Sequence, residues 1–186
     1  TVTGPTGPTG TTGAQGATGP ASAGQIVLSA AGGWPSTTTG CASNAKSETS
    51  SNKVNYYSLD FDASTQEYAE WTVIMPSDYN AGTVTGVFYW TAVSGSGDVI
   101  WGLQAMSGGN DDALDIAYGT AQEVTDTLIT AGDVHVTSAT SAITIAGTPA
   151  AGDFVSFRAY RKAADGSDTL GVDAKLLGVR VTFTRS

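Results

Sequence analysis

Residues 84–92 read Val-Thr-Gly-Val-Phe-Tyr-Trp-Thr-Ala, a run of β-branched and aromatic side chains with no helix period. Val87, Tyr89 and Thr91 fall on one side of an extended chain, and Phe88 and Trp90 on the other. Both sides are therefore apolar, which predicts a strand buried at the centre of a sheet or at a subunit contact.

Reading outward from this stretch, further β-type runs alternate with turn clusters rich in Gly, Asp, Ser and Thr. Candidate strands cover 54–61, 68–75, 99–105, 133–137, 142–145, 154–162 and 172–184. Residues 154–161 (FVSFRAYR) and 177–183 (LGVRVTF) alternate as half-buried strands do. The one candidate helix is short, around 111–118. About eight strands joined by Gly-rich turns predict an antiparallel β-sandwich, with the eight-stranded jelly roll as the best topology. An immunoglobulin-like arrangement is the alternative, weakened because the chain has a single cysteine, Cys41, and no Cys pair.

The N-terminal residues follow another rule. Glycine recurs at Gly4, Gly7, Gly10, Gly13, Gly16 and Gly19, giving the triplets GPT, GPT, GTT, GAQ, GAT and GPA. Three polyproline-II chains wind together only where every third residue lacks a side chain at the crowded axis. Residues 1–21 are thus expected to form a collagen-like stalk, a rod of roughly 55 Å at ~3.1 Å per residue, and the protein a homotrimer. A flexible Gly/Pro/Thr linker is the alternative. So short a stalk, with Pro in half its triplets, needs a trimeric neighbour to hold it in register. Threonine fills the third position at Thr6, Thr9, Thr12 and Thr18, which fits a bacterial or viral chain. Residues 22–53 read as a neck with one short strand at 26–29 and a loop beyond, with Trp34 either packed on the head, the favoured reading, or exposed; residues 54–186 form the head. Opening on Thr1, the sequence suits a processed chain or a part of a longer one.

Charge narrows the function. The net charge is −9, and between Val54 and Phe157 there are thirteen Asp and Glu but no Lys or Arg. A nucleic-acid surface needs clustered basic residues, so nucleic acid is excluded as a partner, and anionic membrane surfaces are disfavoured on the same ground. No apolar run approaches the ~18 residues of a membrane span, so no membrane insertion is expected.

Enzyme chemistry finds little footing. His135 is the only histidine; Asp133 with Ser138 or Ser141 would complete a triad, but no G-x-S-x-G elbow is present. Asn110, Asp111, Asp112 and Asp115 form an oxygen-rich cluster of the type that holds calcium, without the glycine and distal Glu of an EF-hand loop. The same residues equally suit a helix cap. Trp71, Trp90, Trp101, Tyr56, Tyr57 and Tyr118 offer sugar-stacking rings, although strand aromatics more often build a core. No phosphate loop, zinc spacing or dinucleotide fingerprint occurs, and no cofactor is expected.

The segments FDASTQEYAEWTVIMP (61–76), GTVTGVFYW (82–90), WGLQA (101–105), DDALDIAYGTAQEVTDT (111–127), TSAITIAGTPAAGD (140–153) and DTLGVDAKLLGVRVTFT (168–184) resemble a globular domain of tailed-phage and phage-like-particle structural proteins. The resemblance implies a fibre, spike or decoration protein on a virion, with other structural proteins as partners and no catalytic residues. A bacterial cell-surface or spore appendage shares the architecture, and a glycan-degrading tailspike is disfavoured by the small head. A head of this charge is expected to bind a neutral glycan or a protein, in loops far from the stalk or in grooves between subunits.

Overall fold

The computed structural model describes residues 1–4 and 22–186. Except for Gly4, the glycines of the repeat lie outside these residues. The rest is built from eleven strands: β1 (Ala23–Ser29), β2 (Trp34–Pro35), β3 (Ala42–Glu48), β4 (Asn55–Phe61), β5 (Glu67–Ile74), β6 (Tyr79–Thr91), β7 (Gly97–Gly108), β8 (Gln122–Leu128), β9 (His135–Val136), β10 (Phe154–Arg161) and β11 (Ala174–Arg185). No α-helix occurs among the described residues.

Two sheets result. Sheet A has the order β3-β4-β11-β6-β9, with β1 also on β11, and sheet B has the order β2-β5-β10-β7-β8. Every pairing of named strands is antiparallel. From β4 to β11 the chain visits the sheets in the sequence A-B-A-B-B-A-B-A. This is the wrapping of a jelly roll: four strands of one sheet (β4-β11-β6-β9) face four of the other (β5-β10-β7-β8).

Period-2 alternation explains the long strands. β6 lies between β11 and β9 in sheet A; Val84, Phe88 and Trp90 point into the sandwich, while Val87 and Thr91 are covered on the opposite side. The core centres on Trp101. Phe61 meets its ring edge-on with centroids 5.1 Å apart, Phe88 stacks on it at 5.6 Å, and Trp90 approaches at 6.3 Å. Two other indoles tie the layers together: Trp90 Nε1 donates to Asp126 of β8 (2.8 Å), and Trp71 Nε1 donates to the Ser29 carbonyl (2.8 Å). Cys41 is buried, and burial chiefly, with Glu67 adding to it, pushes its thiol up to about 12, so it stays protonated at neutral pH.

The sandwich also contains a buried ion pair. The inward phase of β10 runs Val155, Phe157, Ala159, Arg161, and Arg161 has no solvent exposure. Its guanidinium forks onto Asp168, with Nη2 to Oδ1 at 2.7 Å and Nε to Oδ2 at 3.1 Å. It also donates to the carbonyls of Val172 (2.7 Å) and Leu170. Asp168 in turn accepts the Ile100 amide at 2.9 Å, so one pair anchors the β10–β11 loop to β7.

Several expectations are corrected. Residues 22–53 are not a neck: β1 runs along β11 from Ala23↔Thr184 to Ser29↔Gly178, and β2 and β3 join the two sheets. Trp34 is 43% exposed rather than packed. The helix at 111–118 is absent, because Asp111 takes a left-handed φ of 65° and Leu114 finds nothing to pack against. The strand at 142–145 reduces to isolated bridges at Ile143 and Ala146, and that at 133–137 to the two residues of β9.

Candidate functional site

Antiparallel register carries the outward-facing side chains of sheet B into rows that cross the strands. One row runs Trp34 (β2), Glu70 (β5), Arg158 (β10) and Gln104 (β7). The next runs Tyr68, Tyr160, Gly102 and Glu123, and a third Thr72, Ser156 and Met106. Gly102 is needed here, since a Cβ at that position would fall inside the Tyr160 ring.

Arg158 is the hub of this face. Its guanidinium lies 4.1 Å from the Tyr118 ring centroid and 4.8 Å from that of Tyr68. With its amide oxygen turned toward Arg158, Gln104 accepts from both Nε and Nη2 at 2.8 Å, and its amide nitrogen donates to the Gly119 carbonyl at 3.2 Å. Glu70 stands across the rung from Arg158, where it accepts the Ser36 hydroxyl at 2.7 Å. Tyr118 arrives from the β7–β8 loop, which crosses the end of β7 through a Gly119 amide to Ala105 carbonyl bond of 3.0 Å. Its hydroxyl meets Ser156 Oγ at 2.8 Å. Burial raises the pKa of both Tyr118 and Tyr160, and for Tyr160 the bond it donates to Glu123 at 2.7 Å raises it further. Both phenols therefore remain neutral.

A hollow of about 340 Å³ opens beside the row, walled by Glu70, Thr72, Tyr118 and Ser156. The surroundings offer an exposed indole at one end, tyrosine rings partly covered by Arg158 in the middle, and a carboxylate, a guanidinium, an amide and hydroxyls within one sheet face. Such a set suits a ligand with apolar C–H faces and many hydroxyls. Glu70 and Arg158 balance in charge. The stretch of residues free of positive charge is thus not a surface free of it, because β10 inserts between β5 and β7 and carries Arg158 into their midst.

Of the candidate site residues read from the sequence, Tyr118 reaches this face and Asp115 lines its hollow. Trp71, Trp90 and Trp101 are core. Tyr56 and Tyr57 lie on β4, on the opposite sheet. His135 packs against Trp90 with centroids 5.0 Å apart, and its Nε2 meets the Thr130 carbonyl at 3.0 Å. Asn110, Asp111, Asp112 and Asp115 occupy the exposed β7–β8 loop, where Asp112 accepts the Gly109 amide at 2.9 Å and Asn110 donates to Asp111 at 3.0 Å. Among the described residues no three His, Cys, Asp or Glu side chains converge as a metal site would need. Trp34, Tyr68, Glu70, Gln104 and Arg158 were not anticipated. For Tyr68, Glu70 and Arg158 the signal that could have found them is the outward phase of strands 68–75 and 154–162, where polar and aromatic residues alternate with core; Trp34 lies on a two-residue strand that leaves no alternation to read.

No family model matches the chain, and no curated protein matches it. Solved structures similar to it include a CBM22-2 xylan-binding domain from Paenibacillus barcinonensis (14% identity, 86% of this chain and 99% of that one, TM-score 0.49). CBM35 from Cellvibrio japonicus (8%, 88% and 99%, TM-score 0.45) is another. A third is the C-terminal CBM6 of a marine laminarinase from Zobellia galactanivorans (9%, 86% and 99%, TM-score 0.39). Likenesses this distant say nothing of what the present chain binds, and its fold stands on its own strand order.

Proposed function

We propose that the chain is a non-enzymatic, trimeric fibre or spike protein of a virion, whose collagen-like stalk presents a jelly-roll head for attachment to a host surface. The observation that carries the binding part is the row Trp34–Glu70–Arg158–Gln104 on the solvent side of sheet B. The glycine period at 4–19 supports the stalk and the trimer, and the resemblance of the head segments supports the virion. The ligand is a neutral glycan or the neutral polar surface of a protein. A polyanion is repelled by the −9 net charge, and the cations of the face are already committed, Arg158 to two rings and an amide and Lys162 to Glu123 and Asp165. Three heads on one stalk multiply weak sites into avidity.

The full-length protein should bind neutral oligosaccharides on a glycan array and pass through a heparin column at physiological salt. Trp34→Ala should weaken array binding at least about tenfold, the equivalent of ~1.4 kcal/mol, with an unchanged melting temperature because the indole is exposed. Binding indifferent to Trp34→Ala, or retention on heparin released only by high salt, would overturn this reading.

A further inference from the structure

The outward side of sheet A has a different character from that of sheet B. Val27 (71% exposed), Val93 (68%), Val134 (62%), Val54 (57%) and Val136 (49%) all lie on it or at its margin. A bulge between Leu176 and Gly178 of β11 places Leu177 among them. Two hollows, of about 250 and 210 Å³, adjoin at Leu177; the first is walled by Val27 and Tyr89, the second by Val54 and Val134. Their walls are overwhelmingly apolar. Exposed apolar surface this continuous marks a contact site rather than a free face.

Polar atoms point the same way. Three buried side-chain polar atoms among the described residues have no hydrogen-bond partner, and two of them, Thr91 Oγ1 and Arg180 Nε, belong to residues that line these hollows. Thr91 is 7% exposed. Arg158, Arg161 and Arg185 each have a side-chain partner, whereas Arg180 has none among the described residues. The half-buried Arg180 thus brings to this apolar face a guanidinium with no partner among the described residues, a donor that suits an acceptor on a neighbouring surface.

We propose that this face is the contact between three copies of the chain around the stalk axis, with Arg180 of each copy donating to an acceptor on its neighbour. The occupant follows from the sequence that leads into it. Six Gly-X-Y triplets require three chains on one axis, and Val27 lies eight residues beyond Gly19. Extended chain covers at most ~3.5 Å per residue, so Val27 sits within about 28 Å of where the stalk ends. β1, the first strand beyond the repeat, runs along β11 in sheet A and so brings this face toward the axis. Charge agrees. Copies of −9 repel, and they can close only across a face poor in acids; Asp60 at its margin is already paired with Lys175. Apolar closure here leaves the three ligand faces of sheet B pointing outward.

The proposal rests on the trimer reading, and the test separates the two. The full chain is compared with Val27→Asp/Leu177→Asp and with Leu114→Asp, a 76% exposed control on the other side of the sandwich. Mass is measured by sedimentation from 0.1 to 50 µM, and folding by near-ultraviolet circular dichroism. Wild type and control are expected to be trimers, and the double variant a folded monomer, or a trimer whose dissociation midpoint rises at least tenfold. A double variant that stays trimeric with an unchanged midpoint would overturn the interface while leaving the trimer intact. A wild-type monomer or dimer would overturn both. Should the double variant fail to fold, Arg180→Gln serves instead, with weakened association expected and unchanged association overturning the proposal.

Discussion

Replacing Arg161 by methionine is expected to destabilise the head by about 3–5 kcal/mol, the cost of stranding one member of a buried ion pair. Asp168 would keep a carboxylate with no solvent exposure and no cation within reach. The carbonyls of Leu170 and Val172 would lose their donor in the same step. In a chain of this size the loss corresponds to a fall in Tm on the order of 10 °C, measurable by calorimetry or tryptophan fluorescence. Adding Asp168→Leu should restore only part of the stability. An apolar pair of matching volume often replaces a buried ion pair without penalty, but here the Ile100 amide and two carbonyls would remain unsatisfied. Full recovery in the double variant would show that the loop is held by packing alone.

Trp101→Ala should cost about as much, ~3–5 kcal/mol, through a different mechanism. The indole is wholly buried and in contact with Phe61, Phe88 and Trp90, rings contributed by two strands of the facing sheet, β4 and β6. Their positions are fixed by backbone pairing, so the cavity would not collapse. Trp101→Phe should lose clearly less, because Trp101 Nε1 has no hydrogen-bond partner and its removal relieves an unsatisfied donor. Urea denaturation of the two variants checks the order. Equal losses would mean that indole size, and not ring contact, sets the stability.

The difference between what the sequence shows and what it hides follows from burial. β5, β6, β7, β10 and β11 were legible because apolar residues dominate their inward positions, at every second residue. β8 was not, since its inward row is Gln122, Val124, Asp126 and Leu128, and an edge strand needs only part of an apolar face. β3 is exposed on nearly its whole length and leaves no alternation to read. Residues 22–53 looked like a connector because small and polar residues dominate them, yet β1 needs only Leu28, Ile26 and the bare backbone of Gly24 beneath Phe183 to seat itself. The candidate site was hidden for another reason. Glu70, Arg158 and Gln104 stand at outward positions of strands that were foreseen, whereas Trp34 lies on β2, inside the apparent connector; the four meet only through registers that join distant parts of the chain. Charge counted along the chain placed Arg158 at the edge of an acidic interval; the jelly roll folds it into the middle.

Ligand binding on the outer face of sheet B is tested most directly by a side-chain footprint on the full-length protein. Carbene labelling would be compared with and without the neutral oligosaccharide that binds best on the array, and read residue by residue by mass spectrometry. Loss of labelling is expected at Trp34, Tyr68 and Tyr118, with sheet A unchanged. Protection confined to loops at the end of the head, or to Val27 and Leu177 on sheet A, would contradict it.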